Sequence, residues 1–225
     1  MIACWPCPRD DGAVQDELAI AFDSARARRL LVLPALFDEA HKLRQLTVAV
    51  MRVLDHAGID SFLPDLPGCN ESLQPLARQD LARWRHAAQA AACHFAATHM
   101  LTIRAGAMLA PGGLPGWRYA PTGGDAQLRT MLRAAQIGAR EMGRDLSLAA
   151  LQETGRTAGV ALAGYSLGPR LFADLEEARL EQSHALIDIP QKALGESGLW
   201  LRAEPDMSPA QARALADMLI RGLTP

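Results

Sequence analysis

Several things are scarce in this 225-residue sequence, and each shortage excludes something. No apolar run is long enough to span a bilayer. The first residues include Asp10 and Asp11 and no basic stretch leading into an apolar one, so no secretory signal is expected and the chain reads as cytoplasmic. Charge of one sign is not in surplus. The 23 basic and 25 acidic residues leave a formal net charge of -2, which offers no global field to nucleic acid or to an anionic membrane. Lysine is nearly missing: Lys42 and Lys192 stand alone and every other basic residue is arginine, a bias as consistent with a GC-rich genome as with chemistry. The cluster Arg26, Arg28 and Arg29 reads as a solvated edge before a strand. No internal repeat or low-complexity linker appears, so one domain over 1–225 is expected. Cysteine is sparse. Cys4-Trp5-Pro6-Cys7 spells C-x-x-C, but a redox motif needs a strand before it and a helix after it, and Pro8 follows. A zinc site would need two more ligands, and Cys69 and Cys93 lie in isolated contexts, so neither a metal nor a cofactor is expected.

Against those absences, 49% of the residues are hydrophobic, enough for a substantial core. Arg29-Leu30-Leu31-Val32-Leu33-Pro34 is a continuous apolar run, as a strand buried on both faces requires. Lys42 to His56 carries apolar residues at helical spacing and ends at Gly58. A strand over Ile59 to Leu66, a helix from Gln79 to Ala97 and a strand from Leu101 to Ile103 come next. This alternation predicts an α/β fold with a doubly wound, mainly parallel sheet. Residues 1–28 resist assignment beyond a short edge strand at Ala19–Phe22. After Ile103 the pattern predicts a strand at Trp117–Pro121, a small helical cap over 126–154 and a short strand at Gly159–Ala163. A helix at Pro169–Leu180, a late strand at Leu199–Arg202 and a last helix capped by Ser208 complete the reading.

The stretch His99 to Met108 organises the rest. An apolar run of strand length meets a small-residue turn, and helix-compatible residues continue until Pro111-Gly112-Gly113 cuts them short. In an α/β-hydrolase this is the nucleophile elbow, G-x-S-x-G, which exposes a serine above the sheet. Here Thr102 occupies the first glycine position, Arg104 the serine position and Gly106 the second glycine. A guanidinium stays protonated and has no usable lone pair, so Arg104 cannot attack a carbonyl.

Four segments together resemble one family, the α/β-hydrolase-like proteins of bacterial exosortase A systems, in the branch that carries arginine at the elbow. They are Phe37-Asp38-Glu39-Ala40-His41-Lys42, Asp65-Leu66-Pro67-Gly68-Cys69-Asn70-Glu71-Ser72, Arg104-Ala105-Gly106-Ala107 and Ala163-Gly164-Tyr165-Ser166-Leu167-Gly168-Pro169. The chain departs from that pattern at Ala40, where the family has glutamate, at His41, where it has asparagine, and at Thr102. The resemblance implies an α/β-hydrolase-like fold and a setting in exopolysaccharide production and surface-protein sorting.

The candidate residues divide accordingly. Arg104 can plug the old serine pocket by pairing with a carboxylate such as Asp65, Glu71 or Asp38, or it can present its donors to an anionic ligand. Asp38, Glu39 and His41 lie on the loop where a hydrolase places its oxyanion hole, and Asp65 comes after a strand end, where open sheets gather ligands. Gly164-Tyr165-Ser166-Leu167-Gly168 is a literal G-x-S-x-G, but a serine nucleophile needs a histidine base, and His184 is the only histidine after it. The leading expectation is a degenerate, non-catalytic protein that binds a small anionic ligand or a protein partner. A homodimer is left open. The alternative is an esterase or acyl hydrolase that uses Ser166 or an unconventional site near His41 and Arg104.

Overall fold

A computed structural model describes residues 1–9 and 11–223, so Asp10 lies outside the described residues. The elements in chain order begin with β1 (Ile2–Pro8), β2 (Val14–Phe22), β3 (Arg29–Leu33), α1 (Asp38–His56), β4 (Asp60–Pro64), α2 (Leu81–His94) and β5 (His99–Ile103). They continue with β6 (Gly116–Tyr119), α3 (Gly124–Glu141), α4 (Leu148–Thr157), β7 (Val160–Leu162), β8 (Tyr165–Leu167), α5 (Pro169–Glu177), β9 (Leu186–Ile189) and α6 (Pro209–Leu223).

Seven strands form the central sheet in the order β1-β2-β4-β3-β5-β6-β9. β1, β2 and β4 pair antiparallel, and β4, β3, β5, β6 and β9 run parallel. The α/β expectation therefore holds, with helices on both faces as parallel strands require. One core packs α1 and α6 on one face, through Leu43, Leu46, Leu54, Leu215 and Leu219. The other core holds Trp84 of α2, Leu128, Met131 and Leu132 of α3, and Phe172 of α5. The segment read as a cap is thus the helix pair α3 and α4, and the apolar side of α3 lies in that second core. Among the described residues no helix is long and apolar enough to cross a membrane.

Four expectations need correction, and one expected strand finds its partner outside the main sheet. The N-terminal segment is not formless: Trp5 and Cys7 are buried and Cys4 is exposed along β1, the period-2 alternation of a strand. That makes β1 the edge, and the stretch Ala19–Phe22 is inside the sheet. The short strand expected at Gly159–Ala163 is present as β7, which pairs with β8 in a separate hairpin whose turn residues Ala163 and Gly164 both have positive φ. Leu199–Arg202 is not a strand but holds a 3-10 turn at Leu199–Leu201, and the last strand comes earlier, as β9. The arginine cluster is not a solvated edge either. Asp60, whose side chain is wholly buried at the start of β4, accepts from the Ser24 and Arg26 amides at 3.0 and 2.8 Å and from the Arg26 and Arg29 guanidinium groups at 3.1 and 2.9 Å.

Candidate functional site

The site lies at the carboxyl ends of β3, β4, β5 and β6, where helices and loops leave an open parallel sheet. Ile103 is still extended, and Arg104 turns abruptly to φ 54°. A non-glycine residue at positive φ is costly and persists only where its surroundings enforce it. The close approach behind it explains Gly106: a Cβ there would stand 2.2 Å from the Pro34 carbonyl oxygen. The elbow's backbone is therefore present. Only a 3-10 turn, over Arg104–Leu109, continues from it.

The Arg104 side chain is held from three directions. Its Nε and Nη2 donate to Glu39 Oε2 and Oε1 at 2.9 and 3.1 Å, the two-pronged geometry that suits guanidinium and carboxylate. Its Nη1 donates to the Ala120 carbonyl at the end of β6, at 2.7 Å. Its flat face lies over Trp200, 4.1 Å from the ring centroid. Trp200 in turn meets Tyr119 edge-on at 6.0 Å, and the Tyr119 hydroxyl donates to Gln191. Burial raises the Tyr119 phenol above its ordinary range, partly offset by the nearby Arg104 charge. Arg104 and Glu39 side chains keep only 15% and 10% of their exposure, so each charge depends on the other.

The carboxylate at Arg104 is Glu39, not Asp65, Glu71 or Asp38. The reason is local: α1 begins at Asp38, four residues earlier than its apolar spacing indicates, after Phe37 takes φ 57° and ψ -134°. The stretch read as a loop is thus the first helical turn, which faces Glu39 inward and Asp38 outward. Asp38 is mostly exposed and pairs with Lys42 at 2.7 Å. Asp65 accepts from Asn70 Nδ2 at 2.6 Å and lies 3.6 Å from Arg44. Burial pushes its carboxyl above the usual range against those two partners.

His41 is exposed, and its ring lies 6.4 Å from that of Tyr165, nearly parallel. These two residues, with Phe37, Leu66, Cys69 and Asn70, line a recess of about 60 Å³ beside the elbow. Burial raises the Tyr165 phenol to about 12, with the Asp38 charge adding to it, so at neutral pH it is a hydrogen-bonding hydroxyl. Ser166 is exposed within β8, opposite Ala161, and not at a strand-to-helix turn. Its flanking glycines have other reasons to be there. Gly164 makes the hairpin turn, and a Cβ on Gly168 would stand 2.0 Å from the Ala77 carbonyl oxygen. No group of His, Cys, Asp and Glu that could hold a metal occurs among the described residues.

Tyr165, Trp200 and the Ala120 carbonyl were not readable as site members. Tyr165 sits inside the segment whose serine draws the eye, and Trp200 lies where a strand was expected. A carbonyl leaves no mark in a sequence.

No family model and no curated protein matches the chain. Solved structures do. Est1E from Butyrivibrio proteoclasticus aligns over 98% of this chain and 97% of its own, at 11% identity and a TM-score of 0.56. A putative hydrolase from Agrobacterium vitis S4 aligns over 100% and 99%, at 11% identity and 0.54. The bottromycin epimerase BotH, solved with Bottromycin A2, aligns over 98% of both chains, at 15% identity and 0.53. Sheet order, elbow and these neighbours define the α/β-hydrolase fold. Identities this low carry the fold alone.

Proposed function

We propose that this protein is a non-hydrolytic member of the α/β-hydrolase fold, an accessory protein that binds where its relatives in shape would cleave. The observation that carries the reading is the Arg104–Glu39 pair at the elbow. Acyl transfer needs a nucleophile there and donors for the oxyanion beside it. This chain offers a cation with no lone pair and, against it, a carboxylate whose charge opposes an oxyanion. The fold tolerates such a change of trade, since one structural neighbour, BotH, is an epimerase.

Two kinds of occupant are in view, a small anion and a protein partner. Arg104 already holds an anion, so a small one would have to displace Glu39. The small recess at the start of α1, which neither Arg104 nor Glu39 lines, is apolar at Leu36, Phe37, Leu66 and Leu76, with His41, Asn70 and Tyr165 also lining it. Its size suits a methyl- or acetyl-sized tip, which favours a partner that inserts one small group. The four family-like segments support a setting in bacterial exosortase A and exopolysaccharide systems.

The test is labelling by a fluorophosphonate probe together with turnover of short-chain p-nitrophenyl esters. The protein is expected to stay unlabelled and to match the buffer rate, as should Ser166→Ala and His41→Ala. Labelling lost in Ser166→Ala, or turnover lost in His41→Ala, overturns the proposal and makes the protein an esterase.

A further inference from the structure

The short turn after the elbow leaves part of the sheet uncovered. The 3-10 turn ends at Leu109, and Pro111-Gly112-Gly113 then leads the chain back to β6 without a helix. Beneath this segment, between α2 and the connection from α5 to β9, lies a cavity of about 460 Å³. That is within the range of small-molecule sites. It is separate from the small recess that His41 and Tyr165 line, with which it shares no lining residue. Met100 of β5 and Leu186 of β9 contribute to its lining, and Met108, Leu114 and Leu180 add further apolar surface.

Polar groups converge on this apolar surface. Arg118 lies on β6 among the strands and is only 8% exposed, a costly place for a cation. Asp188 of β9 takes its Nε at 2.6 Å and the Glu181 carbonyl takes its Nη1 at 2.8 Å, which leaves Nη2 without a partner among the described residues. Arg85 of α2 donates its Nε to the Met108 carbonyl at 2.9 Å and has no carboxylate partner among the described residues. Arg179 also lines the cavity but lies 3.6 Å from Asp125. The amides of Gly112 and Gly113 donate to no described residue, and a Cβ on either would meet nothing within 4 Å. Glu181 is the one carboxylate in the lining, on an exposed residue.

We infer that this cavity is a binding site for a small amphipathic anion, an aliphatic body carrying a single carboxylate or phosphate head. Arg85, the free edge of Arg118 and the glycine amides receive the head, and Met100, Met108 and Leu186 receive the body. Guanidinium donors and open backbone amides are the groups that hold such heads elsewhere in proteins.

Isothermal titration with octanoate and octyl phosphate tests this, with octanol and inorganic phosphate as controls. At least one of the two amphiphiles is expected to bind, the stronger one identifying the head, and at least tenfold more tightly than either control. Arg85→Gln should weaken binding at least tenfold. Glu181→Gln should tighten it several-fold, and Ala185→Trp should abolish it by filling the mouth. Arg85, Glu181 and Ala185 are exposed, and matched melting curves confirm that the variants fold. Glu39→Gln should leave the affinity unchanged, which separates this site from the elbow. Equal binding of octanol or of phosphate alone, no binding of either amphiphile, or an unaltered affinity in Arg85→Gln overturns the inference.

Discussion

The two ends of the parallel sheet each carry a buried arginine–carboxylate cluster, and the two are built for different ends. At the amino ends of β3 and β4, Asp60 gathers two backbone amides and two guanidinium groups into one knot. The chain there takes ordinary strand geometry at Arg29 and Asp60. At the carboxyl ends, Arg104 holds Glu39 from a residue forced to positive φ. The first cluster staples strand starts together. The second fills a turn whose shape serves exposure of a side chain, and its strain is the residue of that geometry. The same ion pair chemistry is thus an anchor at one end and a stopper at the other.

That contrast can be broken by substitution. The largest effect is expected for Asp60→Ala, which frees two amides and leaves Arg26 only Asp55 and Arg29 only the half-exposed Asp23 as carboxylate partners; urea unfolding should show a loss of about 3–5 kcal/mol. Arg104→Ala leaves Glu39 charged and largely buried, and should cost about 3 kcal/mol. Arg104→Gly should be milder than alanine by about 1 kcal/mol, because glycine accepts the elbow's φ without strain. If glycine and alanine prove equal, the elbow is not strained and the contrast between the two ends weakens.

A smaller effect is expected at Glu17 on β2, which is 2% exposed and accepts from Ser72 Oγ and Gln74 Nε2 at 2.8 and 2.9 Å. Burial, aided by the Asp65 charge, raises its carboxyl despite those two donors. The folded chain therefore holds this proton more tightly than the unfolded chain. The stabilisation is complete below the unfolded carboxyl range and is lost as pH rises through the raised value. Glu17→Gln removes that loss, so stability measured from pH 4 to 7.5 should decline less in the variant than in the parent.

How much of this was legible in the sequence depends on the scale of the signal. The parallel core strands announced themselves because burial on both faces demands unbroken apolar runs, as in Leu30 to Leu33. The edge strands did not. β1 alternates as a strand should, but its C-x-x-C spelling drew attention to cysteine chemistry, whereas Cys4 is exposed and Cys7 buried. There Cys7 is a core thiol pushed up to about 12, mainly by burial. β9 hid because Asp188 interrupts its apolar run, and Asp188 is there to hold Arg118. At the site, Arg104 was legible from the elbow spacing alone. Its partner was not, since Glu39 comes into reach only because Phe37 adopts a backbone angle that no residue pattern announces.

The most direct measurement is a double-mutant cycle on Arg104→Ala and Glu39→Ala, read by denaturant unfolding. A closed elbow predicts a coupling of about 2 kcal/mol, with the double variant much less damaged than the two single losses together imply. Additivity within about 0.3 kcal/mol would contradict it, since it would mean that the two side chains do not depend on each other and that the elbow is open.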